Sequence, residues 1–247
     1  MSNKLIVFIT GANTGLGFEA VKALYKSSTA YEILIGCRSQ QKGESAISSL
    51  KEEVPESSST VSTVQVDLES DDSIQQAYDT ISSKHTRLDI LINNAGGGFD
   101  GEIQKENYSI RDGWNKAWNL NVAGTQVLTT MFMPLLLKSK EPRLLFVTSG
   151  TSTLNETERF DNEIFARINR SPNAGWPKDV EVNPIMSYRS SKTGLNMMMR
   201  QWHRILKQDG VKVWCISPGF LATGLGSVGP EKLKEVSSAV SFLSYVE

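Results

Sequence analysis

The chain has 247 residues, 39% hydrophobic and 21% charged, which excludes a disordered or fibrous polymer and supplies apolar surface for one sizeable core. Lys and Arg number 26 against 27 Asp and Glu, so the net charge is −1 and there is no basic surplus for wrapping nucleic acid. Two cysteines and two histidines make neither a disulfide framework nor a zinc site on their own, and no apolar run approaches the ~18 residues of a membrane span. A cytoplasmic protein is expected, with no metal and no nucleic-acid or membrane partner.

The first predicted strand is the apolar run 5–9, too short for a signal-peptide core. It leads directly into Thr10-Gly11-Ala12-Asn13-Thr14-Gly15-Leu16-Gly17, after which Leu16, Ala20, Ala23 and Leu24 recur at helical spacing. A glycine turn between strand and helix offers free backbone N–H groups to a pyrophosphate. Read alone, its G-x-x-x-G-x-G spacing fits a plain turn equally well. The second strand, 32–36, runs out into Cys37-Arg38-Ser39. An NAD-selective site puts an acid near this point, but the nearest one downstream is Glu44. The planar guanidinium of Arg38 can hydrogen-bond a 2′-phosphate instead, which favours NADP; the other reading of Arg38 is a solvated loop cation.

A third strand, 62–66, precedes Asp71 and Asp72 and a helix that faces inward through Ile74, Ala77, Tyr78 and Ile81. Strand 88–92 ends in Asn93-Asn94-Ala95-Gly96, and Trp114, Trp118, Asn121 and Thr125 share one helical face beyond it. Strand 143–148 ends at Ser149. Residues 155–184 mix charges, aromatics and prolines with no sustained period, and a loop of that length inside a domain is usually functional. Tyr188, Lys192, Leu195, Met199, Trp202 and Leu206 form another helical face, on which Met197-Met198-Met199 reads as core packing. The last run, 211–216, precedes Pro218-Gly219. Strands alternating with helices predict a single-domain α/β fold with a doubly wound parallel sheet.

Tyr188 and Lys192 stand one helical turn apart. A free phenol titrates near pH ~10, and a neighbouring ammonium favours its ionised form. Such a pair is common on surface helices and means little alone. Ser149, however, stands at the strand edge where doubly wound sheets bind ligands, so its hydroxyl could donate to a carbonyl oxygen. Asn121 could hold a water or a backbone group near Lys192.

Taken together, T-G-x-x-x-G-x-G, N-N-A-G, the Asn of N-V-A-G, the strand-end Ser, Y-x-x-x-K and P-G-x-x-x-T resemble the short-chain dehydrogenase/reductase family, in its order, from residue 4 to about 226. The resemblance implies a Rossmann-type domain, a nicotinamide cofactor and hydride transfer between it and a carbonyl or alcohol. It implies that Gly11, Gly15 and Gly17 line the pyrophosphate, with Asn13, Thr14 and Leu16 of the same turn on the cofactor. Asp67 would contact the adenine with Leu68 beside it, and Asn94, Ala95 and Gly96 would form the central scaffold of the cofactor site. Ser149 would polarise the carbonyl, Tyr188 give or take the proton, and Asn121 complete a proton relay. Lys192 would hold the nicotinamide ribose and depress the Tyr188 pKa. Pro218, Gly219 and Thr223 would close the cofactor site, Thr223 on the carboxamide.

Two departures from the family pattern stand out. Tyr188 lies 39 positions beyond Ser149, and the extra segment, 155–184, resembles the insertion of the carbonyl reductase branch. A lid over the substrate and a monomer are expected, with a homodimer as the alternative. The chain also stops at Glu247, short of the family's final strand, so helix 231–245 is expected to be terminal and the sheet six-stranded. The leading function is an NADPH-dependent reductase of a ketone or aldehyde. The alternatives are an NAD(P)-dependent secondary-alcohol dehydrogenase working oxidatively and a non-catalytic nicotinamide-binding redox sensor.

Overall fold

The computed structural model describes residues 4–161, 163–178 and 185–218. Among the described residues six strands, β1 (Leu5–Thr10), β2 (Tyr31–Cys37), β3 (Thr60–Gln65), β4 (Ile90–Asn93), β5 (Arg143–Val147) and β6 (Lys212–Ile216), pair in parallel in the order β3-β2-β1-β4-β5-β6. The order reverses between β1 and β4. This switch point leaves a crevice at the carboxyl edge of the sheet, because the connections from the two strands depart to opposite faces. The predicted helix 231–245 and any strand after it lie outside the described residues.

The alternation of side chains along each strand divides the core in two. Val7, Ile9, Ile33, Ile35, Ile90, Ile92, Leu145 and Val147 face helices α1 (Gly15–Lys26) and α2 (Gln40–Glu53). Ile6, Phe8, Leu34, Leu91, Leu144 and Phe146 face α3 (Asp71–Ser82), α6 (Thr125–Leu136) and α8 (Met186–Leu206). Phe132 of α6 anchors the second layer, with its ring centroid 5.1 Å from Phe8 and 5.5 Å from Tyr78. Burying that ring contributes roughly 2–3 kcal/mol. Strands buried on both faces must read as apolar runs, which is why they were visible in the sequence. The strands at the two ends of the order are less covered: in β3 only Val64 is buried, and in β6 only Val213 and Ile216. No helix among the described residues is long and apolar enough to cross a membrane.

Three expectations need correction. The helical face predicted through Trp114, Trp118, Asn121 and Thr125 is broken, because α5 (Ile110–Trp118) passes into a π-helical turn, Asn119–Gly124, before α6. The wider turn changes the angular step between residues, so Asn121 and Thr125 are buried while Trp118 stays 40% exposed. Residues 155–184 are not wholly irregular: a 3₁₀ turn (Asn155–Glu158) and helix α7 (Glu163–Asn169) follow Ser149, with the short helix α4 (Asp100–Gln104) earlier in the chain. Ile168 is buried and the Arg159 guanidinium lies 4.5 Å from the centre of the Phe165 ring, which stabilises a helix too short to show a period. Finally, Met198 and Met199 pack on the core, but Met197 is 59% exposed because it points off the other side of α8.

The π-helical turn presses against the loop after β3. A Cβ at Gly124 would stand 1.9 Å from the Leu68 carbonyl oxygen, so only glycine permits this approach. Gly124→Ala is expected to destabilise the fold by about 3 kcal/mol or more, read as a lowered urea midpoint. An unchanged midpoint would show that the two backbones are free to separate.

Candidate active site

The sequence-predicted residues stand at the carboxyl edge of the sheet. Gly11 follows β1, Arg38 follows β2, Asp67 and Leu68 follow β3, Asn94 to Gly96 follow β4, Ser149 follows β5 and Pro218 follows β6. Gly219 and Thr223 lie outside the described residues.

Gly11 sits at φ +63°, and a Cβ there would meet the Ala95 Cα at 2.9 Å. A Cβ at Gly17 would be 2.5 Å from both the Gly11 carbonyl oxygen and the Asn94 Nδ2. Neither position leaves room for a side chain, so the turn is packed tightly against the β4 loop. Asn94 holds it from β4: its Nδ2 donates to the carbonyls of Thr10 (2.8 Å) and Gly11 (3.1 Å). The backbone N–H groups of Asn94 and Ala95 both donate to Thr10 Oγ1, at 3.1 and 3.0 Å. Thr14, the N-cap of α1, makes no side-chain cap bond, and no acid lies in the first turn, so the helix start presents N–H groups and a positive dipole end. Asn13 is half-buried beside Thr14, Gly15 also has positive φ, and Leu16 packs partly on the α1-side core.

Arg38 is exposed just past β2, and its carbonyl accepts from Gln65 Nε2 at 3.1 Å. Asp67 is half-buried; its backbone N–H donates to Ser73 Oγ and its Oδ1 accepts from the Glu69 N–H at 3.1 Å. Leu68 is buried in the second core layer.

Around Tyr188 the structure brings the predicted residues together. Asn121 is fully buried and clamps the backbone beyond β4: its Oδ1 accepts from the Gly97 N–H (2.9 Å) and its Nδ2 donates to the Gly97 carbonyl (2.8 Å). The same Nδ2 donates to Ser191 Oγ at 2.9 Å, and Ser191 Oγ donates to the Tyr188 carbonyl. A Cβ on Gly96 would lie 2.8 Å from Asn121 Oδ1 and 2.9 Å from Lys192 Nζ, so the amide and the ammonium flank one glycine.

Lys192 is 3% exposed, and its Nζ donates to the Val147 carbonyl of β5 at 2.9 Å. Burial pulls its pKa down to about 8, opposed by the neighbouring Cys215. Burial pushes the Cys215 thiol up to about 12. For Tyr188, burial raises the phenol above its ordinary range and a hydrogen bond with Ser149 acts in the opposite sense. The Lys192 ammonium lies 6.0 Å from the ring centre and is tied to β5. Ser149 Oγ also pairs with Thr151 Oγ1 at 2.9 Å.

Arg189, one residue beyond Tyr188, was not signalled by the sequence. Its guanidinium donates to the carbonyls of Thr151 (2.8 Å) and Ile168 (3.2 Å) and to Asn169 Oδ1 (2.9 Å). It thus ties α7 and the segment after Ser149 to the helix that carries Tyr188.

This strand order with helices on both faces defines a Rossmann-type domain. A family model described as short chain dehydrogenase matches residues 5–159 and 174–233, and the chain belongs to that family of oxidoreductases. It is 43% identical over 227 residues to the short-chain dehydrogenase/reductase tropE of Talaromyces stipitatus, covering 92% of this chain and 82% of that one. It is 46% identical over 226 residues to the short-chain dehydrogenase/reductase eupG of a Phoma species, covering 90% and 79%. An NADPH-bound carbonyl reductase from chicken fatty liver shares the fold, with a TM-score of 0.72 at 22% identity over 96% of this chain and 89% of that one.

Proposed function

We propose that the chain is an NADPH-dependent reductase of ketones or aldehydes, with Tyr188 as the acid, Ser149 as the group that polarises the carbonyl, and Lys192 as the charge behind both. The observation that carries this reading is the half-buried Tyr188, whose phenol meets Ser149 and whose helix holds, one turn on, a buried ammonium tied to β5. Tyr188 gives its proton to the substrate oxygen while Ser149 Oγ donates to the same oxygen, so charge developing there meets two donors. Lys192 then stabilises the phenolate by its positive charge. Asn121 fixes Gly97 and Ser191, which keeps the β4 loop and α8 in register.

The tight glycine turn, with no room for side chains at Gly11 and Gly17, and the uncapped start of α1 fit a dinucleotide diphosphate. Gly11, Asn13, Thr14, Gly15, Leu16 and Gly17 would hold the pyrophosphate, Asp67 and Leu68 the adenine, Arg38 the 2′-phosphate and Lys192 the nicotinamide ribose. Asn94, Ala95, Gly96 and Pro218 would line the cofactor, with Gly219 and Thr223 carried by the family motif alone. Bound there, the nicotinamide supplies the hydride that the substrate carbon receives. Segment 155–184 would be the substrate lid, hinged on Arg189, in a cytoplasmic monomer.

The direct test is turnover of a simple diketone and an aromatic aldehyde with NADPH and with NADH; consumption of neither nucleotide would end the reading. For the cofactor, Arg38→Glu is expected to lower kcat/KM with NADPH by about 100-fold, as two charge-assisted hydrogen bonds become a repulsion. The value with NADH should hold or rise. Equal use of both nucleotides by the unaltered protein would remove Arg38 from the assignment.

A further inference from the structure

The loop from β4 to α4 borders the glycine turn, Asn121, Lys192 and Tyr188. Asn94 supports the glycine turn, Gly96 lies between Asn121 and Lys192, and a Cβ on Gly98 would lie 3.5 Å from the Tyr188 ring. The loop runs into α4 at Asp100, a buried carboxylate aimed at the start of α8. Its Oδ1 accepts from the Ser187 backbone N–H at 2.8 Å. Its Oδ2 accepts from Ser187 Oγ at 2.8 Å and from the backbone N–H of Tyr188 itself at 3.0 Å.

α8 has no cap of its own. Ile185 stands at the N-cap with no side-chain bond, and no acid lies in the first turn. Asp100 satisfies the orphan donors from 87 residues away, and its charge complements the positive end of the helix. Hydrogen bonds to an ionised acceptor are the strong kind, and these three converge on Tyr188 and the residue before it.

We propose that Asp100 is a positioning residue for Tyr188: by capping α8 across the fold, it fixes the phenol relative to the loop that borders the cofactor turn and Lys192. The proposal rests on the reading of Tyr188 as the proton donor. Groups facing the phenol are Ser149 and Lys192, and Asp100 adds a negative charge at the base of the same residue.

The test compares the unaltered protein, Asp100→Asn and Asp100→Ala in steady-state kinetics and in an ultraviolet titration of the Tyr188 phenol, taken as the difference from Tyr188→Phe. Asp100→Ala is expected to lower kcat about 30-fold, because the phenol is no longer held in line. KM for NADPH should stay within about threefold, since the glycine turn is untouched. The phenol should titrate at lower pH, because a negative charge has gone and water gains access. Asp100→Asn keeps an acceptor for one backbone donor, so it should fall between the two and serves alone where the Ala variant does not fold. A folded variant with kcat within about threefold of the unaltered protein would overturn the proposal. So would a kcat loss with an unmoved phenol titration, which marks a merely structural cap. If the unaltered protein reduces no carbonyl, the proton-donor reading fails, and the phenol titration alone decides whether Asp100 positions Tyr188.

Discussion

Tyr188→Phe is expected to lower kcat for carbonyl reduction by about 1,000-fold or more while NADPH binding changes by less than about threefold. The substitution removes one oxygen and keeps the ring, so the packing beneath Gly98 survives. What disappears is the proton donor and the partner of Ser149. Ser149 is left to polarise the carbonyl by itself, with no acid to neutralise the developing alkoxide. Stopped turnover with intact nucleotide fluorescence enhancement is the expected pair of results. Activity within tenfold of the unaltered protein would show that the proton comes from elsewhere.

Lys192→Met should separate stability from function. The ammonium is almost wholly buried with one carbonyl partner, and its pKa is pulled down from 10.5 to about 8. Between those values the unfolded chain carries the proton and the folded one does not, so stability rises with pH through this window. Below pH 8 the folded state bears the full penalty, roughly 3 kcal/mol. Methionine fills similar volume without charge and forfeits a hydrogen bond worth about 1 kcal/mol. The variant is therefore expected to be more stable than the unaltered protein at pH 7 by up to about 2 kcal/mol, an advantage that shrinks as pH rises from 8 to 10.5. Meanwhile kcat should fall by about 100-fold or more, because the phenolate loses its counter-charge. Urea midpoints at pH 7 and pH 10, with kcat at pH 7, check both halves. A variant that is less stable at pH 7, by an amount independent of pH, would contradict the account of the buried charge.

The six strands and the glycine turn were legible because burial on both sheet faces leaves little choice but continuous apolar runs, and a strand-to-helix turn needs small residues. β3 was harder to read, since an edge strand mixes exposed Thr and Ser with the buried Val64. The π-helical turn was illegible: one wider turn between α5 and α6 hardly disturbs an i, i+4, i+7 pattern, yet it buries Asn121 and turns Trp118 outward. α7 was missed because seven residues held by Arg159 and Arg189 have no period to show.

Within the site, spacing brought Tyr188 and Lys192 to one face but not to their actual partners. The i, i+4 relation suggested an ammonium acting directly on a phenol. Instead β5 runs beneath α8, so Val147 takes the ammonium's hydrogen bond while its charge faces the phenol from 6.0 Å off the ring centre. Asp100 and Arg189 gave no signal, because their bonds join residues 20 to 88 positions apart and only the folded chain brings them within reach. Chemistry-bearing residue types were readable; the carboxylate and guanidinium that hold them in place were not.

The most direct measurement of the central claim is product analysis after incubation of the protein with NADPH deuterated at the transferring carbon of the nicotinamide and a panel of ketones and aldehydes. The expected result is an alcohol with deuterium on the former carbonyl carbon and a solvent-exchangeable hydrogen on oxygen, formed by the unaltered protein and not by Tyr188→Phe. An alcohol without deuterium, or equal amounts of labelled product from the Phe variant, would contradict it.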